Sequence, residues 1–273
     1  SPAALPTATT ALALGVLLLG LAGGIGQRHA PARWWPPGPD PRAVALRGNA
    51  DPPAAVDFTT AQAWASGRSL PTLHAVVALS GAGGLFTIAV LPLALVAAGR
   101  SPADTAAVVT AFAAASGLGR IASGAAAERT GRRRLLAVLL GSAAPALLGL
   151  AVGAAAAPTA LLVVLAAVAG AGTGSCYPLS RAVIECHFGS ERAAGIPRLV
   201  HSSKAVGGLL GVGGAVVLLA LAPPSAAASW LVAAAAALTL AALLTGALRR
   251  PVPVRTLPIR PQIWTAGRRR APM

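Results

Sequence analysis

The sequence predicts an all-α polytopic membrane protein with about seven transmembrane helices. Composition points there first. Hydrophobic residues make up 55% of the 273 residues, charged residues 11%, and the mean hydropathy is +0.71. A soluble domain carries roughly 25% charged residues. Long uncharged runs are the second sign, and the confinement of arginines to alternate loops is the third. The net charge of +15 and pI of 12.0 would invite a nucleic-acid reading. The bases fall between apolar runs and in the tail rather than on one face of a soluble domain, so nucleic acid is not an expected partner.

A spanning helix needs about 20 mostly apolar residues. Thr7–Gly26 is the first such run, Ala75–Gly99 the second, and Ala106–Ala127, interrupted by Arg120, the third. Leu135–Ser180 then runs 46 residues without a charge, room for two spans, with Pro158 marking the turn between them. Ala205–Leu248 is a second long run, divided at Pro223-Pro224. Its first helix begins near Arg198, because Ala205–Ala222 is short for a span. Alanine and glycine are abundant throughout, and small residues let membrane helices approach closely.

The arginines set the orientation. Arg28, Arg33, Arg42, Arg47 and Arg68 precede the second span; Arg129 and Arg132 to Arg134 separate the third and fourth. Arg192 and Arg198 separate the fifth and sixth, and Arg249, Arg250, Arg255, Arg260 and Arg268 to Arg270 follow the seventh. The intervening loops carry Arg100 alone. Cytoplasmic loops are enriched in Lys and Arg, which places the C-terminus in the cytoplasm of a multi-pass plasma (inner) membrane protein and the N-terminus outside. Four segments follow: a transmembrane helix over 1–27, a proline-rich cytoplasmic linker over 28–70 with Trp34 and Trp35 near the headgroups, a six-helix bundle over 71–248, and a basic tail over 249–273. An outside N-terminus and a first residue that is Ser1 suggest a piece of a longer polypeptide.

None of the seven acids falls mid-span. Asp40, Asp51 and Asp57 are in the linker, Asp104 in an outer loop, and Glu128, Glu185 and Glu191 at the cytoplasmic side. Two bases do fall mid-span: Arg120 and Lys204, the only lysine of the chain. A charge at membrane depth costs about 2.5–3.5 kcal/mol on insertion scales and usually faces a cavity. Arg120 precedes Glu128 by eight residues and Lys204 follows Arg198 by six, roughly 12 Å and 9 Å along their helices. The two bases therefore share a depth. Either one, taken singly, is as readily explained by snorkelling to the headgroups. Together, with no acid to neutralise them, they point to an anion. His201, three residues before Lys204 on the same helix face, joins them as a candidate or packs as a polar neighbour. Tyr177 and Pro178 end a glycine-rich run, GAGTGSCYP, which reads either as a flexible helix that bends during gating or, more simply, as close packing. His74 and His187 read as interfacial, and Cys176 and Cys186 as small apolar side chains in helix packing.

The run Gly124-Ala-Ala-Ala-Glu128-Arg129-Thr-Gly131-Arg132-Arg133-Arg134 resembles the loop signature of the major facilitator superfamily, G-x-x-x-D-R-x-G-R-R-R. Glycines there allow close packing and a tight turn. The acid can approach a helix N-terminus, and the arginines can pair with it. Glu128 replaces the signature's aspartate, keeping the charge and altering the gate's geometry. Other segments resemble the oxalate/formate antiporter-like branch: DFTTAQAW, SGLGRIASG, YPLSRAVIECHFGSERAAG and HSSKAVGGLLGVG look like that family's lead-in to its seventh helix, its eighth, the end of its tenth, and its eleventh. The resemblance implies helix six, the central loop and the C-terminal half of a twelve-helix fold, with two inverted three-helix repeats. It also implies that Arg120 and Lys204 hold substrate carboxylates. Arginine offers a bidentate fork to such a group, lysine a mobile point charge.

The expected function is secondary transport of a small organic anion, a mono- or dicarboxylate, by alternating access and exchange. The partners are the bilayer, the anion and an N-terminal half of the same transporter. A transporter for another solute, such as a drug or sugar, and a non-transporting remnant are the alternatives. No nucleophile–base set, metal cluster or phosphate loop appears in the sequence, so neither an enzyme nor a cofactor is expected.

Overall fold

The computed structural model describes residues 4–25, 54, 57–189 and 195–251. These form helices, turns and short connections. Most of the linker, including Trp34, Trp35, Asp40 and Asp51, lies outside the described residues, as do Glu191, Arg192 and the tail beyond residue 251. The chain divides into two units, Ser1–Val44 and Ala45–Met273. The described residues of the first form one helix, α1 (Ala4–Ile25), which takes in residues 7–25 of the predicted Thr7–Gly26 run.

The second unit opens with a short helix, α2 (Thr60–Ala65), closed by a capping box. The Thr59 N–H donates to Gln62 Oε1 at 2.9 Å, and the Gln62 N–H donates back to Thr59 Oγ1 at 3.3 Å. Six long helices follow: α3 (Ser69–Ala97), α4 (Pro102–Thr130), α5 (Arg132–Gly153), α6 (Thr159–Phe188), α7 (Gly195–Leu221) and α8 (Ala227–Ala247). Each is long and apolar enough to cross a membrane. The boundaries follow local chemistry. Ser101 Oγ accepts from the Asp104 N–H at 3.1 Å to start α4, with Pro102 in the first turn. Pro158 precedes α6, and Pro223 precedes a single 3₁₀ turn, Pro224–Ala226, that leads into α8. Gly131 alone separates α4 from α5. Its φ of 85° is a conformation that side chains resist, and it both ends the first helix and starts the second.

The packing order is not the chain order. The most extensive interface is α4 with α6; α3 packs broadly on α7 and α8, and α5 on α6 and α8. Exchanging α3 with α6, α4 with α7 and α5 with α8 maps each of these interfaces onto another. The first helices of the two triplets carry a matching small-residue core, SGAGG at 80–84 and AGAGTG at 169–174. Hydrogen bonds identify the two ends of the bundle. At one end Arg100 Nε and Nη2 donate to the carbonyls of Ala154 (2.6 Å), Gly153 (3.3 Å) and Ala157 (2.5 Å), and Thr159 Oγ1 donates to Asp104 Oδ1 at 2.9 Å. This far end gathers the C-termini of α3 and α5 and the N-termini of α4 and α6. At the other, basic end Ser69 Oγ donates to the Arg249 carbonyl, and Arg133 to that of Leu248. The two triplets therefore begin at opposite ends, as inverted repeats require.

Close helix approach rests on glycine. A Cβ at Gly170 would lie 2.1 Å from the Phe112 carbonyl oxygen, and one at Gly174 would lie 2.1 Å from that of Ser116. Gly119 faces Ala171 O at 2.8 Å from the other side of the same interface. The related interface repeats the device: Gly207 and Gly211 of α7 face the carbonyls of Ala78 and Ala82 on α3 at 2.8 Å and 2.6 Å. Leu136, Leu140, Leu147 and Leu150 form the fully buried face of α5 at the three- and four-residue spacing of a helix. Within α7, Leu209–Gly213 is a π turn amid Gly207, Gly208, Gly211 and Gly213.

Candidate substrate site

Arg120 and Lys204 lie on the two helices that bury themselves least. Among residues of the most apolar window, 22% are buried for α4 and 17% for α7, against 61% for α3 and 50% for α6. Both bases stand about four residues from the middle of their helices toward the basic end, roughly 6 Å at 1.5 Å per residue. The two bases thus occupy equivalent positions along their helices.

The two bases converge on Tyr177 of α6. Lys204 Nζ lies 3.9 Å from the centroid of its ring and Arg120 Cζ 5.7 Å, both inside the reach of a cation–π contact. The cations are therefore no more than about 10 Å apart and repel each other by at least ~1.7 kcal/mol at an effective dielectric of 20. The ring offsets part of that cost. Arg120 is exposed on the bundle and Lys204 half-buried, so their charges face outward from the six helices rather than into their core.

Neighbouring helices hold the trio in place. Ser175 Oγ lies within donating reach of the Ala171 carbonyl of its own helix at 2.7 Å and of the Gly119 carbonyl at 3.0 Å, which ties the turn beside Arg120 to α6. Ser80 Oγ of α3 donates to Cys176 Sγ at 2.7 Å, fixing the turn beside Tyr177. Gly81 leaves space for the tyrosine hydroxyl, which would stand 3.2 Å from a Cβ there. A cavity of about 130 Å³ opens between α3, α4 and α6, lined by Ser116, Arg120, Thr173 and Tyr177 among others. A larger one, about 500 Å³, lies on the basic side of Tyr177 between α6 and α7, and His201 lines it. His201 is exposed and shares a helix with Lys204, but belongs to this outer cavity rather than to the cluster over Tyr177.

Tyr177 adds a role that neither packing nor bending of the glycine-rich run before it accounts for: its ring meets both cations. Gly170 and Gly174 pack against α4 and Gly172 against α5, and the α4 contact brings Arg120 over the ring. His187 lies in the last turn of α6, where it is 4% exposed with Nδ1 2.9 Å from the Val183 carbonyl. Cys186 is buried as expected, yet it also accepts from Arg132 Nη1 at 2.7 Å.

The signature loop is built differently from the expectation. Gly131 supplies the tight turn, but Gly124 does not supply close packing: it is exposed, and an added Cβ would meet nothing within 4 Å. Among the described residues no hydrogen bond or ion pair reaches Glu128, so the arginines do not pair with it. Arg132 turns to Cys186, and Arg133 to the carbonyls that end α8, where a cation meets the negative end of the helix. Arg129 and Arg134 are exposed with Glu128.

Six apolar helices in two inverted triplets, presenting a charged midspan surface, are the build of one half of a membrane transporter. A family model of the Major Facilitator Superfamily matches residues 73–271, and the chain belongs to that superfamily, whose members are transporters and not enzymes. No curated protein matches the chain.

Proposed function

We propose that this protein is a secondary transporter of a small organic anion, a mono- or dicarboxylate, working by exchange. The observation that carries the reading is the convergence of Arg120 and Lys204 on Tyr177 at midspan with no acid of the six helices beside them. A carboxylate placed there turns the repulsion of two cations into two attractions, with the arginine offering a fork and the lysine a point charge. The charges face outward from this bundle, which fits a site completed by a second six-helix bundle, with alternating access by rocking of one against the other. The resemblance of SGLGRIASG and HSSKAVGGLLGVG to the oxalate/formate antiporter-like branch supports the same substrate class. Exchange follows from the charge balance: an empty pair of cations is costly to carry back across the membrane, so the loaded form returns.

The excess of arginine at the basic end supports a cytoplasmic C-terminus in a plasma (inner) membrane. Gly124, Glu128, Arg129, Gly131 and Arg132 to Arg134 then form a cytoplasmic loop that controls closure of that side. Exposed Glu128, which has no partner among the described residues, is open to contact from the opposing bundle.

The test is reconstitution of the natural full-length protein in liposomes preloaded with oxalate or formate, followed by uptake of the labelled anion. Arg120→Gln and Lys204→Gln are each expected to abolish exchange. Undiminished exchange in both sinks the anion reading. A counterflow screen with neutral solutes distinguishes a sugar or drug carrier, for which the labelled carboxylates give no signal.

A further inference from the structure

The 500 Å³ cavity between α6 and α7 has a charge pattern that the midspan site does not explain. Arg181 enters it from α6, and Arg198 and His201 from α7, with Val77 of α3 at its base. Tyr177 lines both this cavity and the smaller one beside Arg120, so the two adjoin at this residue. By helix rise, Arg181 lies roughly 6 Å and Arg198 roughly 9 Å nearer the basic end than Tyr177 and Lys204 respectively. We infer that this cavity is a second anion-binding site, one step along the path from the basic end of the bundle to the midspan pair.

The chemistry is that of a staging site for a hydrated carboxylate. A water occupies about 30 Å³ in the liquid, so 500 Å³ holds a dicarboxylate with part of its hydration shell. Both serine hydroxyls on the wall are committed as donors, Ser180 Oγ to the Tyr177 carbonyl at 2.9 Å and Ser202 Oγ to that of Leu199 at 2.6 Å. The charge attraction comes from the cations. Arg181 Nε reaches Glu185 Oε1 at 3.4 Å, an exposed i,i+4 pair that engages one of the five N–H donors of a guanidinium and leaves four. Two arginines and a histidine bind such an anion loosely and in several poses, which suits capture and release better than tight recognition.

This second site extends the proposed anion transport, but its charge preference is measured with no transported solute, so the two readings fail separately. Ser202→Cys places a thiol on the cavity wall, and the parent chain without it gives the background from buried Cys176 and Cys186. The probes are the sulfonatoethyl and trimethylammonioethyl methanethiosulfonates, one anionic and one cationic, applied to the reconstituted full-length protein. Relative to a free cysteine thiol, the anionic-to-cationic rate ratio at the introduced thiol is expected to rise about tenfold at low salt. It should fall back as ionic strength increases. Arg181→Gln with Arg198→Gln should return the ratio to the free-thiol value, while Arg181→Lys with Arg198→Lys should preserve it. Arg120→Gln with Lys204→Gln should also preserve it. A ratio at the free-thiol value in the Ser202→Cys protein overturns the inference. So does a preference that survives the double Gln change or disappears with Arg120 and Lys204.

Discussion

Replacing Gly174 by alanine adds one methyl group at the interface that brings Arg120 to Tyr177. Its Cβ would stand 2.1 Å from the Ser116 carbonyl oxygen and 2.6 Å from Ser116 Oγ. Ordinary contacts begin near 3.4 Å, so α4 and α6 must part by more than 1 Å. The obstructing atom is backbone and cannot rotate away, which puts the cost near the upper end of the 1–3 kcal/mol typical of overpacking, about 3 kcal/mol. Alanine returns about 1 kcal/mol through its higher helix propensity, leaving a net loss of about 2 kcal/mol. For a domain of this size that lowers the midpoint of thermal unfolding by roughly 4–8 °C. Gly117 is the control: it lies on the same helix as Ser116, its added Cβ meets nothing within 4 Å, and alanine there should be neutral or slightly stabilising. A thiol-reactive fluorophore reads both variants in detergent, because the thiols of Cys176 and Cys186 are buried until the bundle opens. Equal midpoints for Gly174→Ala and Gly117→Ala would refute the account of this interface.

Two further outcomes follow from the same geometry. Tyr177→Phe keeps the aromatic face and should hold anion affinity within about threefold, whereas Tyr177→Leu removes both cation–π contacts and should weaken it about tenfold or more, measured as the half-saturating concentration for exchange. Arg133→Ala leaves the Gly246 and Leu248 carbonyls without their cation and should cost about 1 kcal/mol, seen as faster hydrogen exchange confined to the end of α8 and the start of α3.

What the sequence disclosed depended on rarity. Prolines at 158 and 223 stand out from apolar surroundings, the glycine at 131 sits within a charged run, and all three mark where helices stop. Arg120 and Lys204 stand out in the same way, since a charge among so many alanines and leucines has few explanations. Tyr177 did not, because an aromatic after a glycine run has a simple packing role and its second role depends on which helix lies opposite. That neighbour is α4, two helices earlier in the chain, and only the facing carbonyls of Phe112 and Ser116 reveal it. The target of Arg133 was hidden for a similar reason. Pairing with Glu128 is the local solution, and nothing in the loop itself announces that the last turn of α8 arrives beside it.

The ties at the two ends of the bundle carry a consequence for motion. Thr159 with Asp104 joins one triplet to the other at the far end, while Arg133 with Leu248, Arg132 with Cys186 and Ser69 with Arg249 join them at the basic end. Triplets tied at both ends cannot shear along the seam between them without breaking several bonds at once. Any large displacement in the working protein is therefore transmitted to the outward face that bears Arg120 and Lys204. Fluorescent labels on α5 and α8 would keep a constant separation through a full cycle, making these helices the fixed frame against which everything else is measured.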